Sequence, residues 1–152
     1  MRIIWALALA ACGGTSGEPI EGDVSISYGG DTFTFSVGAV IEDANTPGQM
    51  LVQLGTDEVD CDSNLDNLFS FDNPEGTFLF FSVLPEPGTY TDGFISAMRS
   101  SNNSVQINSS SGSVTITTVD GRVTGTVDEF STTDDEVGEI TAGGSFDVLK
   151  CF

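Results

Sequence analysis

From Asp23 onward, apolar residues recur at every second position in short sets, the period of a half-buried strand rather than a helix. Val24, Ile26 and Tyr28 form the first set, and Phe33, Phe35, Val37, Ala39 and Ile41 the second, with Gly29-Gly30-Asp31 as the turn between them. After Thr46-Pro47-Gly48 the pattern resumes at Met50, Val52 and Leu54. Phe78 to Val83 is nearly continuous in apolar residues, as expected of a strand buried on both faces, and Pro85-Glu86-Pro87-Gly88 ends it. Phe94 to Met98 and Val105 with Ile107 follow. Asp120-Gly121 predicts a two-residue type I′ turn joining Ser113–Val119 to Arg122–Val127, because Asp-Gly tolerates the positive φ angles this turn needs. A last strand is predicted around Gly144–Leu149. No segment of this region keeps a helical period; residues 64–72 have room for a turn or two of helix at most. The expectation is one all-β domain over residues 23–152, a mostly antiparallel β-sandwich or partly closed barrel of about eight or nine strands.

The first residues follow a different pattern. Met1-Arg2 is followed by nine residues, Ile3 to Ala11, without a polar side chain. As a helix this run would span about 13 Å, too short to cross a bilayer. A basic start, a short apolar run and small residues at its end form the layout of a secretory signal peptide. Leu9-Ala10-Ala11-Cys12 resembles the lipobox of bacterial lipoproteins, whose leader is cut just before the cysteine. That resemblance implies a signal peptide over residues 1–11 and a lipid anchor on Cys12. The leader is shorter than the usual range of roughly 15–30 residues. Gly13 stands where an aspartate would favour inner-membrane retention, so the resemblance implies the outer membrane as the address. Residues 13–22, rich in Gly and polar residues, read as a flexible tether.

Ser111–Ile116, Asp120–Val127, Gly144–Val148 and Cys151 together resemble parts of small uncharacterised β-domain lipoproteins of bacteria. This covers about a third of the chain and implies a lipid-anchored β domain with a late cysteine, without an established activity.

Composition narrows the function classes. The 152 residues hold 23 Asp and Glu, four Lys and Arg and no histidine, a net charge of -19. Such a polyanion cannot neutralise a phosphate backbone, which excludes nucleic acid as a partner. Without histidine, Ser-His-Asp and Cys-His catalysis and imidazole metal sites are excluded together. Two carboxylates suffice for a glycosidase, but no run of aromatic residues for stacking a sugar accompanies any acidic pair, and Trp5 lies in the leader. The expectation is therefore a protein that is not an enzyme.

With Cys12 assigned to lipid, Cys61 and Cys151 remain, an even pair in an exported protein. They read as one disulfide; the alternatives are two free thiols or a metal pair, for which a histidine-free chain offers few further ligands. The acidic stretch around Cys61 places oxygen ligands at Asp57, Asp60, Asp62, Asn64 and Asp66, an alternation that calcium loops share. Counted from Asp60, however, Leu65 takes the position of the required glycine and Phe71 that of the bidentate glutamate. Asp134, Asp135 and Glu136 would complete a calcium site if the two loops met; otherwise both are solvated loops that favour solubility. Two readings follow. One is a non-enzymatic, lipid-anchored envelope or cell-surface module that contacts the membrane through its anchor and an unspecified envelope or extracellular partner. The other is a calcium-dependent binding or adhesion domain.

Overall fold

The computed structural model describes residues 18–56, 59–62, 76–91, 95–99, 105–109, 112–135 and 138–152. In chain order its strands are β1 (Glu18–Pro19), β2 (Glu21–Gly22), β3 (Ser25–Tyr28), β4 (Asp31–Thr34), β5 (Val37–Glu42), β6 (Met50–Gly55) and β7 (Thr77–Val83). Then come β8 (Gly88–Tyr90), β9 (Ile95–Arg99), β10 (Val105–Ser109), β11 (Val114–Val119), β12 (Arg122–Asp134) and β13 (Gly138–Lys150). Among the described residues there is no helix, and all thirteen strands belong to one hydrogen-bonded sheet. Its main path runs β10-β9-β7-β6-β5-β13-β12-β11-β8, with β1 to β4 attached beside β5 and β13. The fold is all-β as the alternation predicts, and nine strands make up the main path. Only β5 and β13 pair in parallel, Leu149 opposite Ala39; the other described pairings are antiparallel.

A sheet this wide buries one face by curling onto itself. Val52, Leu54, Leu79 and Phe81 from one half meet Val114, Ile116, Val123 and Phe146 from the other in a single core. The rings of Phe81 and Phe146 sit 5.6 Å apart across it. β6 and β7 are apolar on their outer faces too, as the uninterrupted Phe78–Val83 run predicts. There Ala39, Leu51, Phe78 and Phe80 form a second, smaller cluster. Val59, fully buried, and Cys151 complete its cover.

Four local expectations are corrected. The set Phe33 to Ile41 is not one strand: Phe33 and Phe35 pack on the main core, whereas Val37, Ala39 and Ile41 face the outer cluster. The chain breaks at Phe35-Ser36, where Phe35 N–H donates to the Val24 carbonyl and Ser36 N–H to the Gly55 carbonyl. One strand therefore hands over to another, and the inward side changes. Secondly, residues 18–22, read as tether, lie in the sheet: Glu18 pairs with Gly38 and Glu21 with Asp147. Backbone pairing needs no apolar side chain, so composition misses it.

Thirdly, Asp120-Gly121 does not make a two-residue turn. A bulge between Ile116 and Thr118 shifts the register so that Val119 pairs with Val123. Gly121 keeps φ outside the left-handed region, and its carbonyl accepts from the Lys150 N–H at 3.1 Å. The type I′ geometry belongs instead to Gly29-Gly30, with φ of 61° and 87° between the paired Tyr28 and Asp31. Finally, Asp134, read as part of an acidic loop, belongs to β12: with Thr132 and Thr133 before it, it extends that strand, and the three pair with Ile140, Glu139 and Gly138. The antiparallel ladder with β13 carries strand geometry past the end of the apolar pattern.

Candidate functional site

Cys61 and Cys151 are joined by a disulfide, with Cα atoms 5.5 Å apart and a sequence separation of 90. The bond fastens the segment that follows β6 to the end of β13. Val59, two residues from Cys61, is thereby held over Phe78 and Phe80. The bridge closes the outer cluster.

Of the acidic residues beside Cys61, Asp60 and Asp62 are described. Asp60 Oδ1 accepts the N–H of Asp62 at 2.9 Å, a local turn. Among the described residues no three His, Cys, Asp or Glu side chains come close enough to share a metal ion. Asp57, Asn64 and Asp66, the rest of that set, and Glu136 lie outside the described residues, as does Cys12. The topology places the described members of the two acidic loops. Asp60 and Asp62 are tied by Cys61 to Cys151, just beyond the end of β13, while Asp134 pairs with Gly138 at its start. Thirteen residues of strand separate them, roughly 40 Å along the chain direction. Among the described residues, then, Asp60 and Asp62 lie at one end of β13 and Asp134 at the other.

Four other carboxylates, those of Asp43, Asp128, Asp147 and Asp23, serve the fold. Asp43, buried in the β5–β6 connection, accepts the N–H groups of Asn45 at 2.8 Å and Thr46 at 3.2 Å, and the Ser82 hydroxyl. Asp128 accepts the Ser113 hydroxyl, and its own N–H donates to the Ser113 carbonyl. Asp147 receives Arg122 Nε at 2.5 Å, and its carbonyl receives a second guanidinium N–H at 3.0 Å. At Asp23 both the N–H and the hydroxyl of Ser145 donate to Oδ1, each at 2.8 Å, and these two donors hold its carboxyl below the ordinary value of 3.8. Sequence reading missed Asp23 and Asp43. Asp43 stands in an Asp-Ala-Asn-Thr-Pro turn whose composition is a usable signal. Asp23 has none, since Ser145 is 122 residues away.

The outer face of β8, β11, β12 and β13 is lined with hydroxyls. Thr89, Thr115, Thr126 and Ser145 are successive cross-strand neighbours, and the Thr89 and Thr115 oxygens lie 3.0 Å apart. Two shallow hollows lie along β3 and β13. One, of about 360 Å³, is lined by Ser27, Asp31, Thr32, Glu139 and Thr141 around the Gly29-Gly30 turn. The other, of about 280 Å³, runs past Ser25 and Gly143. Both are open and polar, and Glu139 already accepts the Ser131 hydroxyl at 3.1 Å. What these residues offer is a hydrogen-bonding surface.

No family, curated protein or solved structure matches this chain. No helix among the described residues is long and apolar enough to cross a membrane.

Proposed function

We propose that this chain is a bacterial envelope lipoprotein. Its leader, residues 1–11, is removed, Cys12 carries the lipid, and the β domain acts by contact with a partner rather than by catalysis. The observation that carries this reading is Leu9-Ala10-Ala11-Cys12 at the end of a short apolar run behind Arg2. The Cys61–Cys151 disulfide supports it, because such bonds persist in oxidising compartments outside the cytosol. The carboxylates described above support a role without catalysis, since their donors come from their own neighbours.

On this reading the domain sits close to its membrane. Only residues 13–17 separate Cys12 from the first paired residue, Glu18, a reach of about 20 Å when fully extended. Glu18 and Glu21 join the sheet beside Gly38 and Asp147, near the disulfide end of β13. That end then faces the bilayer, and the β12–β13 turn with Asp135 faces away. Acyl chains on one cysteine supply the double anchor that stable attachment requires.

Metabolic labelling with a palmitate analogue tests the anchor. Wild type incorporates label and sediments with membranes, whereas Cys12→Ser does neither. An unlabelled wild type overturns the proposal.

A further inference from the structure

The sheet's main path ends at β10 and β8, and short links tie each of these strands to the neighbour of the other. Tyr90 ends β8 and Ile95 begins β9, five steps on; Ser109 ends β10 and Val114 begins β11, again five steps on. Ser109 pairs with Ile95 and Val114 with Tyr90, so both links cross at the same end of the opening. Five steps of chain span at most about 17 Å. With the strands side by side, each link covers the opening plus one strand spacing of about 4.8 Å, which leaves at most about 12 Å between the two edges there. One inserted strand needs about 9.6 Å, two spacings. The edge of another folded domain, several strands thick, does not fit. Among the described residues β10 pairs only with β9, and β8 only with β11. Both run toward the links, so a strand inserted in the opposite direction is antiparallel to each.

The seam also differs in charge from the rest of the chain. From Gly93 to Val119, a span that includes β9, β10 and β11, there is one charged residue, Arg99, and no carboxylate, in a chain with 23. Neither β8 nor β10 carries a charged residue, one of the devices that block strand addition. On its inner side Tyr90, Val114 and Ile116 pack on the main core.

We propose that the seam between β8 and β10 receives one extended peptide segment of a partner protein, which closes the barrel by strand addition. Within the seam the segment is uncharged, with apolar residues at alternate positions turned to the core. Its flanks are basic, because the surrounding surface belongs to a chain of net charge -19. The proposal rests on the reading of the domain as an interaction module, but not on the lipid at Cys12.

A displayed library of random nonapeptides, selected on the full chain in detergent, is the test. Enriched sequences alternate apolar residues between basic ends and contain no acid. Added as a synthetic peptide, an enriched sequence slows amide exchange roughly tenfold or more in both 88–90 and 105–109. No enrichment, or protection at one edge or elsewhere, overturns the proposal. So does dimerisation of the chain alone with protection of β10. If wild type is lipid-labelled and no seam peptide is found, the seam fails and the anchor stands; a seam peptide with an unlabelled chain gives the reverse.

Discussion

The ring of Phe146 lies over Gly125, its cross-strand partner, so that a Cβ on residue 125 would come within 2.8 Å of Phe146 Cζ and closer still to the Thr115 carbonyl oxygen. β12 thus passes between β11 and β13 without a side chain at the point where the one aromatic ring of β13 enters the core. The same strand gives a second instance: a Cβ on Gly38 would meet Val148 Cγ1 at 2.8 Å. Two inward residues of β13 are accommodated by glycines on its two neighbours.

Gly125→Ala is therefore expected to destabilise the domain by about 1–3 kcal/mol, since a backbone carbonyl cannot move aside as a flexible side chain can. Gly121→Ala, with open space around it and φ outside the left-handed region, is expected to be nearly neutral. Urea unfolding of the two variants checks the contrast. Equal losses would contradict it.

Removing the disulfide, as Cys61→Ser with Cys151→Ser, is expected to cost roughly 4–5 kcal/mol from loop-closure entropy alone. Freed at Cys61, Val59 no longer holds its place over Phe78 and Phe80, so the outer cluster opens to solvent. Loss of stability accompanied by binding of an apolar dye is the expected result. A drop in stability with no dye binding would show that the cover persists without the bond.

Asp43→Ala leaves the N–H groups of Asn45 and Thr46 and the Ser82 hydroxyl without their acceptor in a part-buried loop. The expected loss is about 2–3 kcal/mol, and Asp43→Asn, which keeps one acceptor oxygen, recovers part of it. Thermal melts of both variants distinguish this role from simple loss of charge, for which the two would be equal.

The bonds from Ser145 make the contribution of Asp23 depend on pH. Its carboxyl titrates lower in the folded chain than the ordinary 3.8. The stabilisation is therefore present above that ordinary value and is lost as pH falls through the lowered folded one. The stability difference between wild type and Asp23→Asn is expected to shrink over that acidic window and to stay level from pH 5 to 8. A difference unchanged into strong acid would remove the Ser145 contact as its cause.

Much of this fold is legible in the chain. Val24, Ile26 and Tyr28 alternate and are buried; Phe78 to Val83 does not alternate and is covered on both sides. Cys61 and Cys151, an even pair, are bonded. These features are local or arithmetical, and a period of two or a parity survives any arrangement of the strands. Asp120-Gly121 shows the limit. The dipeptide suits a tight turn, but the bulge in β11 and the Lys150 N–H, nearly thirty residues later, decide its geometry.

Alternation and parity along the chain are enough to say that it forms strands, which residues most of those strands bury and which cysteines are available to each other. It also carries the leader and lipobox pattern on which the proposed anchor rests. Tertiary structure was needed to place Asp60 and Asp135 at opposite ends of β13, residues 18–22 in the sheet and β8 and β10 at the two ends of its main path. Alternation records only whether a residue points inward. Which strands become neighbours depends on pairings between residues far apart in the chain, and those are fixed only when the whole sheet closes around one core.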